Sequence, residues 1–199
     1  MGPTPAISVI PPGAERPAGH TPSPMLSTNE PASETEVALE PIPAERASVL
    51  QNLFELYAHD FSEQMPLQLQ PSGRFELSPG DVWWTRDDHF AYFIRLRGEL
   101  AGFALARRGS RTTQASDVMD VAEFFVLRGA RHAGVGTRAA HALFRLFPGA
   151  WEVRVRRSNP TALRFWSRAV ESWTAQPAAV LSMSIKGVEW SVLRFGPAS

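Results

Sequence analysis

A mixed α/β domain, with a mostly antiparallel sheet flanked by helices, is the fold class this sequence predicts. Three observations predict it. From about Thr35 onward, segments with a two-residue apolar period alternate with segments of helical period. Phe90–Leu96 and Leu100–Ala106 flank the short turn Arg97-Gly98-Glu99 and read as a hairpin. Val118–Leu127 is an apolar strand that ends in a glycine-bearing turn and runs on into a helix.

Taken in order, the elements follow from local chemistry. Residues 1–33 are rich in Pro, Ser, Thr, Gly and Ala. Such a segment buries too little apolar surface to offset its ordering entropy, so a disordered tail is expected there and a folded domain over 34–199. Glu36–Glu40 alternates as a first strand, stopped by Pro41 and Pro43. Val49, Leu50, Leu53, Phe54, Leu56 and Tyr57 mark one apolar face of a helix over Ala44–Asp60. Met65–Gly80 carries Pro66, Pro71, Gly73, Pro79 and Gly80 and reads as a loop. After the hairpin, Arg107–Ser116 is a polar loop. The helix that follows the glycine turn spans about Thr137–Phe147 and stops at Pro148-Gly149. Trp151–Arg156 alternates as a strand. Asn159 caps a helix over Pro160–Val170, with proline at its favoured first position. Met183–Ile185 and Glu189–Phe195 form a last hairpin turning at Lys186-Gly187.

Composition removes several classes of function. The chain of 199 residues has no cysteine, which excludes disulfides, thiolate metal sites and a cysteine nucleophile. A net charge of zero argues against a general nucleic-acid binder. No apolar run is long enough to span a membrane, and no secretory signal pattern opens the chain, so cytoplasmic residence is expected. Acidic residues concentrate early, from Glu15 to Glu45. Basic residues concentrate later, at Arg107, Arg108, Arg111, Arg131, Arg154, Arg156 and Arg157, which suits a cofactor rich in phosphate.

The turn Arg131-His132-Ala133-Gly134-Val135-Gly136-Thr137 has the chemistry to hold such a phosphate. The first N–H groups of a helix have no partner inside it, and the dipole there favours negative charge. Gly134 and Gly136 let an anion approach the backbone, and Arg131 adds a forked, charged donor. The Arg-x-x-Gly-x-Gly spacing is neither a dinucleotide fingerprint nor a P-loop. It resembles the acyl-CoA pyrophosphate loop of the GNAT superfamily of N-acetyltransferases. A second motif agrees: Asn159, Ala162 and Phe165 fit the Asn-x-x-Ala-x-x-aromatic pattern of that family. The resemblance covers roughly residues 35–195 and is strongest over 117–170.

The resemblance implies a GNAT-like sheet with splayed strands, and it assigns roles. Main chain around Val126 and Arg128 would bind the pantetheine arm of acetyl-CoA. Arg131, His132, Gly134, Val135, Gly136 and Thr137 would surround its pyrophosphate, and Asn159 would contact the cofactor or the strand opening. Trp166 occupies the place where many members carry a tyrosine that protonates the leaving thiolate. An indole N–H supplies no proton at neutral pH, so Trp166 is expected to shape the acyl or substrate pocket.

Direct attack by an amine on the thioester requires a group to take the amine proton. Glu123 is the candidate base. Strand alternation places it on one face with Met119, Val121 and Phe125, where poor solvation would raise its pKa, and places Asp120 on the other. Tyr57, His59, His89 and Tyr92 are candidates to line the acceptor side. The expected function is acetyl transfer from acetyl-CoA to a small-molecule or peptide amine, with no metal, no nucleic acid and no membrane, and with a homodimer left open. Small amines, antibiotics, amino acids and protein N-termini all fit as acceptors. A non-catalytic coenzyme-A sensor and a tail-docking interaction protein are the alternatives.

Overall fold

The computed structural model describes residues 36–75, 77–131 and 134–196. The tail expected over 1–33 and the candidate residue His132 lie outside them. The chain opens with β1 (Val37–Pro41) and α1 (Ala47–Phe61), then the short α2 (Val82–Thr85). The hairpin β2 (His89–Leu96) and β3 (Glu99–Arg108) leads to β4 (Met119–Val126) and α3 (Val135–Leu146). Next come β5 (Trp151–Arg156), α4 (Pro160–Thr174), β6 (Val180–Ile185) and β7 (Val188–Phe195). The strands form one seven-stranded sheet in the order β1-β2-β3-β4-β5-β7-β6. Only the β4–β5 pair is parallel; the other neighbours are antiparallel.

Both hairpins turn where the sequence places them. Arg97-Gly98 and Lys186-Gly187 have positive φ at both residues, the conformation whose twist matches the flanking strands. The helices cover the two faces of the sheet. Leu50, Leu53 and Phe54 of α1 and Trp83 of α2 pack with Phe93, Phe103, Leu105 and Phe125 on one face. Ala139, Ala140, Leu143 and Phe144 of α3 pack with Trp166, Ala169 and Val170 of α4 against Ala104, Ala106, Val153 and Leu193 on the other. Phe103 shows how tight the first layer is: it is fully buried and stacks on Phe54 with ring centroids 4.7 Å apart. Burial of a side chain of that size is worth about 1.5–3 kcal/mol. Among the described residues, no helix is long and apolar enough to cross a membrane.

Two irregularities in β4 shape the rest of the molecule. Leu105 of β3 pairs with Glu123, but the next residue, Ala106, pairs with Val121, so Ala122 is an extra, bulged residue. A bulge shifts the alternation by one. Met119 and Val121 therefore share the α3–α4 face with Phe124 and Val126, whereas Phe125 faces α1. The expected placement of Glu123 beside Met119 and Val121, with Asp120 opposite, is corrected: Glu123 reaches Tyr57 of α1, on the face of Phe125 and Asp120.

The second irregularity is a loss of pairing. β4 and β5 match only over Met119–Trp151, Asp120–Glu152 and Val121–Val153, although both strands continue. Beyond Val121 the two strands part, leaving a free inner edge on β4.

Gly102 sets the position of that edge. A Cβ at Gly102 would lie 2.0 Å from the Phe125 carbonyl oxygen. Gly102→Ala must therefore push the end of β4 outward. It is expected to destabilise the protein by about 1–3 kcal/mol, the usual range for overpacking. A thermal melt checks this, and an unchanged midpoint would contradict so close an approach.

Candidate active site

The free edge of β4 runs directly into the glycine turn. Leu127 donates its N–H to Ala101 of β3 at 2.8 Å, so the adjacent Val126 directs its backbone groups toward the parted side. Arg131 Nε donates to the Val126 carbonyl at 2.8 Å, and its Nη2 donates to Asp60 of α1. Arg128 donates to Asp60 at 2.8 Å and to Glu63 at 3.0 Å. These two arginines tie the end of β4 to the end of α1, and their guanidiniums are occupied by carboxylates there.

Helix α3 begins at Val135, two residues before the expected start at Thr137, because Gly134 takes the left-handed conformation at its N-cap with φ +72°. No side chain caps this end. Among the described residues, the first helical N–H bond of this turn is that of Arg138, which donates to Gly134 O at 3.0 Å. Helix geometry leaves the N–H groups of Val135, Gly136 and Thr137 without intrahelical acceptors. Gly134 is thus required by its φ. Gly136 also makes room for Phe165: a Cβ there would meet that ring at 3.0 Å. The two sequence motifs are in contact through that pair.

Arg138 is the residue sequence reasoning missed. Its Nε and Nη2 are buried with no hydrogen-bond partner, and its Nη1 lies 3.5 Å from where a Gly134 Cβ would be. Buried donors without partners are costly, and these two sit in the first turn of a helix, where anions are favoured. The donor set of this turn (three backbone N–H groups and the two unpartnered guanidinium nitrogens of Arg138) fits a phosphate group.

Asn159 caps α4, its Oδ1 accepting the Ala162 N–H at 2.9 Å as its position predicts. Trp166 is buried at 6% exposure in an aromatic trio. Phe124 lies 5.9 Å from Phe165 and 5.1 Å from Trp166, and these two are 4.9 Å apart. The trio joins α4 to the post-bulge part of β4.

On the α1 face, Tyr57 donates its hydroxyl proton to Glu123 Oε2 at 2.6 Å. Burial raises the Glu123 pKa; the Tyr57 hydrogen bond opposes this, as do the Arg154 and Arg107 charges, while Asp120 adds to it. Burial, reinforced by the Glu123 charge, pushes Tyr57 well above its ordinary value. Next to this pair, the fully buried Asp120 accepts from Arg107 at 2.5 Å and from Arg154 at 3.1 and 3.2 Å. The equally buried Glu152 accepts from Ser110 at 2.9 Å, the Arg111 N–H at 3.1 Å and Arg194 at 3.2 Å.

The remaining acceptor-side candidates are elsewhere. Tyr92 packs against Phe147, which belongs to the α3–α4 face. His89 sits against Trp83 and Asp88, and His59 is exposed. Of the four, only Tyr57 reaches Glu123.

The parted β4–β5 edge, the glycine turn that opens α3 without a side-chain cap and the asparagine-capped α4 occur together here. The chain matches the acetyltransferase (GNAT) family over residues 50–170 and belongs to it. Solved structures share the fold. An acetyltransferase from Thermus thermophilus is 14% identical, with TM-score 0.61 over 81% of this chain and 97% of that one. The aminoglycoside acetyltransferase AAC(6')-Ib, in complex with coenzyme A and kanamycin, is 13% identical, with TM-score 0.61 over 81% and 95%. A probable acetyltransferase of the GNAT family from Chromobacterium violaceum is 17% identical, with TM-score 0.53 over 90% and 96%. No curated protein matches the sequence.

Proposed function

We propose that this chain transfers an acetyl group from acetyl-CoA to an amine, by direct attack while both are bound. The observation that carries the reading is the uncapped N-terminus of α3 beside the free edge of β4, with the two unpartnered guanidinium nitrogens of Arg138 next to it. AAC(6')-Ib, of the same fold, is known in complex with acetyl-CoA and with coenzyme A, which supports the cofactor.

Acetyl-CoA supplies the thioester that the amine attacks. The backbone groups of Val126, with the main chain at Arg128, hold the pantetheine arm as an added strand would. The N–H groups of Val135, Gly136 and Thr137, together with Gly134 and Arg138, hold the pyrophosphate; His132, expected with them, lies outside the described residues. Arg131 keeps the end of β4 in place through the Val126 carbonyl and Asp60. Asn159 fixes the start of α4, which presents the aromatic trio to the strand opening. Glu123 takes the amine proton, since a carboxylate with a raised pKa is the stronger base. A backbone N–H near Val126 stabilises the charge that develops on the carbonyl oxygen.

Trp166 cannot protonate the leaving thiolate. Water does so, because a thiolate is a fair leaving group. Trp166→Tyr is accordingly expected to leave kcat close to wild type. A gain approaching the ~100-fold of a positioned general acid would show that a missing proton donor limits the reaction.

The test of the function is release of coenzyme A thiol from acetyl-CoA over a panel of amines. Amine-dependent release is expected. Binding of acetyl-CoA without turnover on any amine would favour a coenzyme-A sensor instead.

A further inference from the structure

The geometry points to an acceptor that carries a carboxylate as well as its amine, held by Arg156 beside Trp190. This inference rests on the proposed acetyl transfer and names the class of substrate for the same site. If Glu123 takes the amine proton, the rest of the acceptor must lie among the neighbours of Glu123 on the α1 face of the sheet. Those neighbours are strongly basic. Arg107 and Arg154 act on Glu123, Arg156 acts on Tyr57, and burial, with the nearby charges of Arg107 and Arg154, lowers the pKa of Arg111. Against these four guanidiniums stand Asp120, Glu123 and Glu152, the last shared between Arg154 at 3.9 Å and Arg194 at 3.2 Å.

The arginines are not equivalent. Arg107 and Arg154 are engaged by Asp120. Arg156 stands at the end of β5 where the strand has parted from β4, and its guanidinium makes no hydrogen bond or ion pair with the described residues. Its guanidinium lies over the half-buried Trp190 ring at 5.2 Å, and Arg154 lies over the same ring at 5.4 Å. Trp190 is the cross-strand partner of Arg156 on β7, so the ring and the charge are held on one face. Stacking fixes a guanidinium's orientation while leaving its in-plane N–H fork free, which is the geometry that receives a carboxylate with two hydrogen bonds. A polycationic acceptor, such as an aminoglycoside, would be repelled by the same charges.

The experiment measures thiol release by the full chain with amino acids, their matching amides and kanamycin. Wild type, Arg156→Gln and Arg156→Lys are compared, and acetyl-CoA affinity is read separately by calorimetry. The expected result is a KM for amino acids about ten- to a hundredfold below that for the amides, the range of one charge-assisted pair. That ratio collapses in Arg156→Gln, is partly kept in Arg156→Lys, and acetyl-CoA affinity stays at the wild-type value in both. Equal or better use of amides or kanamycin, or a ratio unchanged in Arg156→Gln, overturns the inference. Failure of the wild type to bind acetyl-CoA is read in the calorimeter alone, and it overturns the proposed function and this inference together.

Discussion

Glu123→Gln is expected to slow acetyl transfer by about two to three orders of magnitude, the usual contribution of a positioned general base. Acetyl-CoA affinity should be unchanged, because Glu123 faces α1 while the proposed cofactor edge of β4 faces the gap. The pH dependence carries the stronger test. The base works when ionised, and its pKa is raised. In the wild type the rate therefore climbs with pH through that raised value, in addition to the titration of the amine. Glu123→Gln removes the limb that belongs to the enzyme. Tyr57→Phe deletes the hydrogen bond that favours the charged carboxylate, so it should move the limb to higher pH. An unaltered pH–rate profile in both variants would remove Glu123 from the reaction.

The same raised pKa links to stability with a definite sign. A carboxyl whose folded pKa lies above its unfolded pKa contributes fully below the unfolded value, and that contribution is lost as pH rises through the folded value. Above its unfolded value the poorly solvated Glu123 is therefore a cost to the fold. Glu123→Gln keeps an acceptor for the Tyr57 hydroxyl and carries no charge, so it should melt higher at neutral pH while turning over far more slowly. Loss of activity with gain of stability separates a functional group from a structural one.

Arg138→Met should give a second pair of opposite effects. If Arg138 holds a phosphate, its removal weakens acetyl-CoA binding about tenfold or more, as expected for one charge-assisted contact. In the free protein its Nε and Nη2 are buried without partners. An apolar side chain of similar length avoids that cost, so the free protein should melt at a higher temperature. Calorimetric titration and a thermal melt on one preparation measure both. Unchanged affinity would remove Arg138 from the site, and a lower melting temperature would show that its guanidinium has a structural task.

Much of the fold was legible because local chemistry decides it. Trp151–Arg156 alternates without interruption and forms a strand over those residues. Asn159-Pro160 has both the cap and the first-position proline, and α4 starts there. The family motif was legible because its residues lie within one strand–turn–helix unit and the start of the next helix. What stayed hidden depends on contacts between distant segments. The bulge at Ala122 leaves no mark in a run of mostly apolar residues, and it brings Asp120 and Glu123 onto one face. The Tyr57–Glu123 bond joins residues 66 positions apart. Arg131 pairs with an acidic residue of α1 that no spacing rule could connect to it. Gly136 reads as space for an anion, and its contact with Phe165 joins segments that no local pattern connects. Arg138 looked like one more polar residue on a helix, and only burial shows that two of its nitrogens lack partners.

The central claim is that the turn from β4 into α3 is an acyl-CoA site. Calorimetric titration of the full chain with acetyl-CoA, with coenzyme A and ATP as controls, tests it most directly. Micromolar binding of acetyl-CoA and coenzyme A, with none of ATP, is the predicted result. Absence of binding by either coenzyme form would contradict it and leave the glycine turn as a structural joint between β4 and α3.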